Sequence, residues 1–96
     1  EELVDLGDGQ YLVEGSMKLD DLNGILDLDL SSEDYDSVGG LVIDRLEHLP
    51  SQGEEVVCGN VRLVVEQVEK NRIDKVHLYV LPEEKEENIE GRRNSS

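Results

Sequence analysis

Apolar and polar positions along the 96-residue chain change period twice. Leu3-Val4-Asp5-Leu6 and Gln10-Tyr11-Leu12-Val13 flank Gly7-Asp8-Gly9. An Asp-Gly pair between two apolar runs signals a hairpin, because the turn requires positive φ and glycine accepts it. Strands are therefore predicted over 2–6 and 10–14. Leu19, Leu22, Ile25 and Leu26 then recur at helical spacing behind Asp20 and Asp21, acids that suit the positive end of a helix dipole. This predicts a helix over 18–26. Val38, Leu41, Val42, Leu46 and Leu49 repeat the spacing up to Pro50, with Asp36 or Ser37 as the cap, for a second helix over 37–48. Beyond the turn Pro50 to Gly53, strands are expected over 54–58, 61–69 and 72–81, joined by Gly59-Asn60 and by a turn at Asn71.

The resulting order, ββααβββ, places two helices between two groups of strands. That arrangement predicts an α+β two-layer sandwich with a largely antiparallel sheet. In the last strand Val76, Leu78 and Val80 alternate with His77, Tyr79 and Leu81, so one face belongs to the core and the other is at least partly wet. Gly39-Gly40 falls in the first turn of the second helix, where each glycine costs about 1 kcal/mol relative to alanine. Close approach of a neighbouring backbone would account for that cost. Between the helices, Leu28 to Asp34 reads as an irregular acidic connection.

A chain this short supports one core. Its hydrophobic residues are aliphatic apart from three tyrosines, without Phe or Trp, so no large stacking platform for bases is expected. Charge narrows the partners. The chain carries 24 acids and 9 bases, a formal net charge of −15, and residues 1–36 hold 12 acids against Lys18 alone, a net of −11. Nucleic acid and an anionic lipid surface would both be repelled by that field. One cysteine, Cys58, excludes an internal disulfide, and no apolar run approaches the roughly 20 residues of a membrane span. Direct membrane insertion is not expected. The first residue is Glu1 and the lone methionine is Met17, so a preceding segment is expected. After a domain over 1–81, residues 82–96 read as a disordered acidic tail. Ile89-Glu90-Gly91-Arg92 within it looks like a protease-tag recognition sequence.

Candidate chemistry is sparse. His48, at a helix end, and His77, on a strand, read as surface positions. Cys58 reads as a half-buried small hydrophobe, since no Lys, Arg or His lies close in sequence to activate it. Asp27-Leu28-Asp29-Leu30-Ser31 puts oxygen ligands at positions 1, 3 and 5 of an EF-hand-like loop, but Ser32 and Val38 stand where Gly and a bidentate Glu are required. The adjacent carboxylates Asp20-Asp21 and Glu54-Glu55 point apart and share no proton. Gly7-Asp8-Gly9 is a turn and not a phosphate loop, and the acids near Gly39-Gly40 disfavour an anion there. No catalytic, cofactor-binding or metal-ligating residue is assigned, and no cofactor is expected.

An ordered series of short motifs completes the reading. It runs from Gly9 to Met17 (Gly-Gln-Tyr-Leu-Val-Glu-Gly-Ser-Met), through Leu19-Asp20-Asp21-Leu22-Asn23 and Asp34-Tyr35-Asp36-Ser37-Val38-Gly39-Gly40-Leu41-Val42, to Leu49-Pro50, Gly53-Glu54, Val61 to Val65 and Arg72-Ile73. The series resembles the CorC/HlyC transporter-associated domain over about residues 5–81. Ser37 stands where the family more often has Thr, and Ile or Val fill places often held by Phe. The resemblance implies a fold like that of the smaller half of flavin-binding oxidase domains, the PCMH-like fold. It also implies a C-terminal cytoplasmic domain behind integral-membrane and CBS modules of the same polypeptide, in proteins named for magnesium and cobalt efflux and for hemolysins. The function expected is regulation of, or interaction with, a cation transporter, without enzymatic activity. A small-molecule sensor binding a flavin or adenine nucleotide is the alternative, and a homo-oligomer is compatible with the sequence.

Overall fold

The computed structural model describes residues 1–81. The expected tail, 82–96, lies outside the described residues. Seven elements follow in the predicted order: β1 (Leu3–Gly7), β2 (Gln10–Glu14), α1 (Leu19–Leu26), α2 (Val38–Leu46), β3 (Glu55–Cys58), β4 (Val61–Glu69) and β5 (Arg72–Val80). All five strands join one antiparallel sheet in the order β1-β2-β5-β4-β3, so the last strand to be made is the central one.

Turn chemistry explains two of the three hairpins. Asp8 (φ 55°) and Gly9 (φ 74°) form the tight link between β1 and β2, and Lys70 (φ 50°) and Asn71 (φ 66°) form that between β4 and β5. Two consecutive positive φ values give a turn whose twist matches the flanking strands. The registers then put one set of side chains on each face. Leu3, Val13, Val76 and Val65 align in one inward row, and Tyr11, Leu78, Leu63 and Val56 in the next. Both helices cover this side through Leu19, Leu22, Val38, Leu41 and Val42. Val13, Leu22, Val38, Leu41, Val42, Leu63, Val76 and Leu78 are all 0% exposed, each contributing roughly 1.5–3 kcal/mol by leaving water.

Helix boundaries are tighter than periodicity suggests. Ser37 is the cap of α2: its Oγ accepts from Gly40 N–H at 3.2 Å, whereas Asp36 pairs with Lys18 Nζ at 3.3 Å. At the other end the helix stops at Leu46, not 48, because Glu47 turns left-handed (φ 65°) and its N–H closes on the Ile43 carbonyl. Leu49 therefore leaves the apolar stripe and is 40% exposed, and Ile25 of α1 is 60% exposed.

The two glycines opening α2 lie against backbone and ring. Gly39 N–H donates to the Gly15 carbonyl at 2.8 Å, and a Cβ on Gly39 would lie 3.1 Å from that oxygen. A Cβ on Gly15 would fall on the Ile73 carbonyl oxygen, and one on Gly40 would strike the Tyr35 side chain at 2.5 Å. The expected close approach is thus present. After α1, Asn23 clasps the returning chain: its Nδ2 donates to the Leu30 carbonyl (2.8 Å) and its Oδ1 accepts from Leu30 N–H (2.9 Å), which seats Leu30 in the core.

Urea unfolding of three single variants checks these contacts. Gly15→Ala should lower stability by about 3 kcal/mol, as overpacking against a fixed backbone does, while Gly24→Ala, in open space within α1, should raise it by about 0.5–1 kcal/mol. An unchanged midpoint for Gly15→Ala would contradict the close contact. Asn23→Ala should cost about 2 kcal/mol, because Leu30 loses the partner of its N–H while remaining buried; loss of less than a few tenths would show that water replaces the clasp.

Candidate functional site

An open cavity of about 360 Å³ lies where α2 begins, bordered by Glu14, Gly15, Tyr35, Gly39, Arg72 and Asp74. A glycine-rich helix start beside a cavity is where an anion would be received. Here the backbone donors already have partners: Val38 N–H donates to Met17 O (2.9 Å), Gly39 N–H to Gly15 O (2.8 Å) and Gly40 N–H to Ser37 Oγ (3.2 Å). Glu14 and Asp74 add negative charge at the rim. The site suits structural closure better than a phosphate.

The segment Asp27 to Ser31 takes a course of its own. Asp27 is the left-handed end of α1 (φ 57°), Leu30 is buried and Leu28 packs against the core, while Arg45 Nη2 donates to the Ser31 carbonyl at 3.3 Å. Ser32 Oγ donates to Asp44 Oδ2 at 2.9 Å. Among the described residues, no group of three or more His, Cys, Asp or Glu side chains stands close enough to hold a metal ion.

Cys58 is half-buried and packs against the core. The fold brings Arg45 to it across 13 positions of sequence, a neighbour that local reading could not supply. The Arg45 guanidinium is raised above its ordinary pKa, first by the Cys58 side chain and also by Asp44. The two line a second open cavity with Asp29, Ser31 and Asn60.

His48 sits just past α2 and braces the turn into β3. Its Nε2 meets Glu54 Oε1 at 3.0 Å and its Nδ1 meets the Leu46 carbonyl at 2.9 Å, contacts that a doubly protonated ring satisfies together. Glu54 also accepts from Ser51 N–H at 2.8 Å. That backbone bond first, and His48 second, hold the carboxyl below its ordinary pKa.

His77 departs from expectation. On the outer face of the sheet it is only 18% exposed, because its ring stacks on Tyr79 with centroids 4.4 Å apart and planes 12° from parallel. Arg62 also lies over the Tyr79 ring, its Cζ 5.2 Å from the ring centre. An aromatic pair is therefore present although Phe and Trp are absent. Sequence alternation contained the signal: His77 and Tyr79 are two apart on one strand, and β4 sets Arg62 opposite Tyr79.

Residues 18–49, which carry both helices, hold nine acids against Lys18 and Arg45, a net of −7 with His48 neutral. The strand-bearing residues 1–17 and 50–81 hold ten acids against four bases, a net of −6, so the two layers differ in how charge is arranged more than in its amount. On the outer sheet face acids face bases, Glu55 with Arg62 and Glu14 with Lys75 (3.9 Å), and Glu66 lies 3.7 Å from the His77 ring. Among the described residues no helix is long and apolar enough to cross a membrane.

The fold recurs in known proteins. A domain of a CBS domain protein from Porphyromonas gingivalis superposes with a TM-score of 0.76 at 30% identity, covering 85% of this chain and 100% of that one. A UPF0053 protein from Synechocystis is 34% identical over 87 residues, which are 86% of this chain and 19% of the relative. The magnesium and cobalt efflux protein CorC of Salmonella typhimurium is 27% identical over 70 residues, 73% of this chain and 24% of that protein. This chain thus spans about a fifth of the relatives' length. The sequence profile of CorC_HlyC, described as a transporter associated domain, matches residues 4–82, and the chain belongs to that family.

Proposed function

We propose that this chain is an accessory regulatory and interaction domain of a larger membrane protein of the CorC type, lying on the cytoplasmic side and modulating cation transport without catalysing a reaction. The observation that carries this reading is the surface itself. The backbone donors at the α2 start are satisfied internally and the helix layer is strongly acidic, so what the domain offers outward is a charged face. Its partners are the neighbouring CBS and integral-membrane modules of the same polypeptide. A basic patch on one of them complements the layer that holds Asp20, Asp21, Asp27, Asp29, Glu33, Asp34 and Asp36.

A domain that biases a transporter's conformations contributes a coupling free energy of about 1–3 kcal/mol and does not form the ion path. The domain binds no flavin, nucleotide or dedicated metal ion in this reading. Divalent cations act on it as counterions to its net charge.

Two experiments test the proposal. Millimolar Mg²⁺ should raise the melting temperature of the domain no more than monovalent salt of equal ionic strength does; a rise specific to Mg²⁺ that Asp29→Asn removes would establish a site at the α1–α2 connection. In the full-length protein, deletion of residues 1–81 should preserve membrane insertion and change ion flux, or its response to ligand, by roughly 5–150-fold. Asp20→Lys with Asp21→Lys should reproduce part of that change in vesicle flux assays. Unchanged flux and unchanged ligand response in the deletion would leave an assembly role only.

A further inference from the structure

The helix layer faces outward with one sign of charge, but the opposite face of the sheet has a different character. Its two outer rows run Val4, Leu12, His77, Val64, Glu55 and Gln10, Tyr79, Arg62, Val57 across the strands. Leu12, Val64 and Tyr79 are half-buried by their neighbours alone, Val4 is 38% exposed and Val57 61%. Through the middle runs the stack of Arg62, Tyr79 and His77, with Gln10 Oε1 3.1 Å from His77 Nε2. Tyrosine and arginine, rigid and amphipathic in such a stack, are the side chains that dominate binding energy at protein interfaces.

We propose that this outer sheet face is where two copies of the chain associate, related by a two-fold axis. Charge selects the occupant. A chain of net charge −15 meets its own copy against long-range repulsion, most strongly where helix layers of −7 would face each other. Across the middle of the outer sheet face charges are matched, Glu55 on Arg62 and Glu14 on Lys75, while Glu66 keeps 44% of its side chain in solvent. Burying the centre of the face, Leu12, Val64, Tyr79 and Arg62, thus strands no unpaired charge, the condition that otherwise makes desolvation costly. A strongly basic partner gains little there and is drawn to the helix layer. Area suits a weak, reversible dimer: two central strands of nine residues, about 30 Å long, are flanked by strands of five, five and four, which puts the face at the low end of interface sizes, below the roughly 800 Å² per partner of an ordinary one. Two such faces pack as aligned sheets about 10 Å apart, interdigitating Leu12, Val64 and Tyr79.

Sedimentation of the 96-residue chain from micromolar to millimolar concentration tests this, at low and high monovalent salt. A reversible dimer is expected, and salt should tighten it by screening the net charge, whereas a contact made through opposite charges would loosen. Val64→Glu should raise the dimer dissociation constant at least tenfold, and so should Arg62→Glu, an exposed position whose change makes no demand on the core; far-ultraviolet circular dichroism checks that both variants stay folded. Asp20→Lys with Asp21→Lys should leave the dimer intact. A chain that stays monomeric at every concentration and salt overturns the proposal. So does a dimer that both sheet-face variants leave unchanged, or one that the α1 substitutions abolish. None of these readings involves transport, so failure here is separable from failure of the regulatory role.

Discussion

The contact on which the rest of the molecule depends is the approach of Gly39 to Gly15 and Ile73. Antiparallel strands fix their own spacing by hydrogen bonds, but nothing local fixes where a helix lands on a sheet. Here a backbone bond does: Gly39 N–H reaches the Gly15 carbonyl at 2.8 Å while Gly15 N–H reaches the Asp74 carbonyl at 2.9 Å. Sheet, β2 exit and α2 start are thereby linked in one chain of amides, which side chains at 15 or 39 would hold apart. Val38 N–H on the Met17 carbonyl extends the link, and Lys18 with Ser37 forms an isolated antiparallel bridge beside it. Once α2 is set at that distance, Val38, Leu41 and Val42 reach the rows of Val13, Val76 and Leu78, and the core closes.

This explains why so much of the fold was legible in the sequence. The hairpin at Asp8-Gly9 and the strand alternation through β5 are local signals, and both appear at the expected residues. The glycine pair was legible in a second way, since two helix-weakening residues at the start of an otherwise well-patterned helix require a packing reason. The misses are equally physical. The end of α2 depends on the left-handed turn of Glu47, a conformation that periodicity does not encode, and Leu49 and Ile25 fit the apolar spacing without a surface to cover. Strand order could not be read either, because β5 becomes central only through pairing with β2 residues 61–69 positions away.

The surface was less legible than the core. Arg45 beside Cys58 and Arg62 over Tyr79 are meetings made by the fold, between residues that are far apart in sequence. His77 shows the same limit: its place on a strand was evident, but its low exposure follows from Tyr79 two residues on and Gln10 from the far hairpin. Side chains that acquire their character from cross-strand neighbours need the register first.

The two layers carry their charge in opposite ways, and this bears on how such a domain communicates. In the helix layer, acids outnumber bases nine to two, and the exposed Lys18–Asp36 pair is of the kind that contributes little to stability in water. The layer therefore repels itself, and the folded state carries that cost. A basic surface brought against it relieves the repulsion, so binding stabilises the fold, as any ligand of the native state does. The middle of the outer sheet face has less of this reserve, since Arg62 and Lys75 already match Glu55 and Glu14. In the proposed regulatory role, communication by charge therefore belongs to the helices. It passes inward through α2, whose first turn is fastened to Gly15 and Ile73 in the sheet, so that a load on the acidic layer bears directly on the contact that fixes the spacing of the two layers.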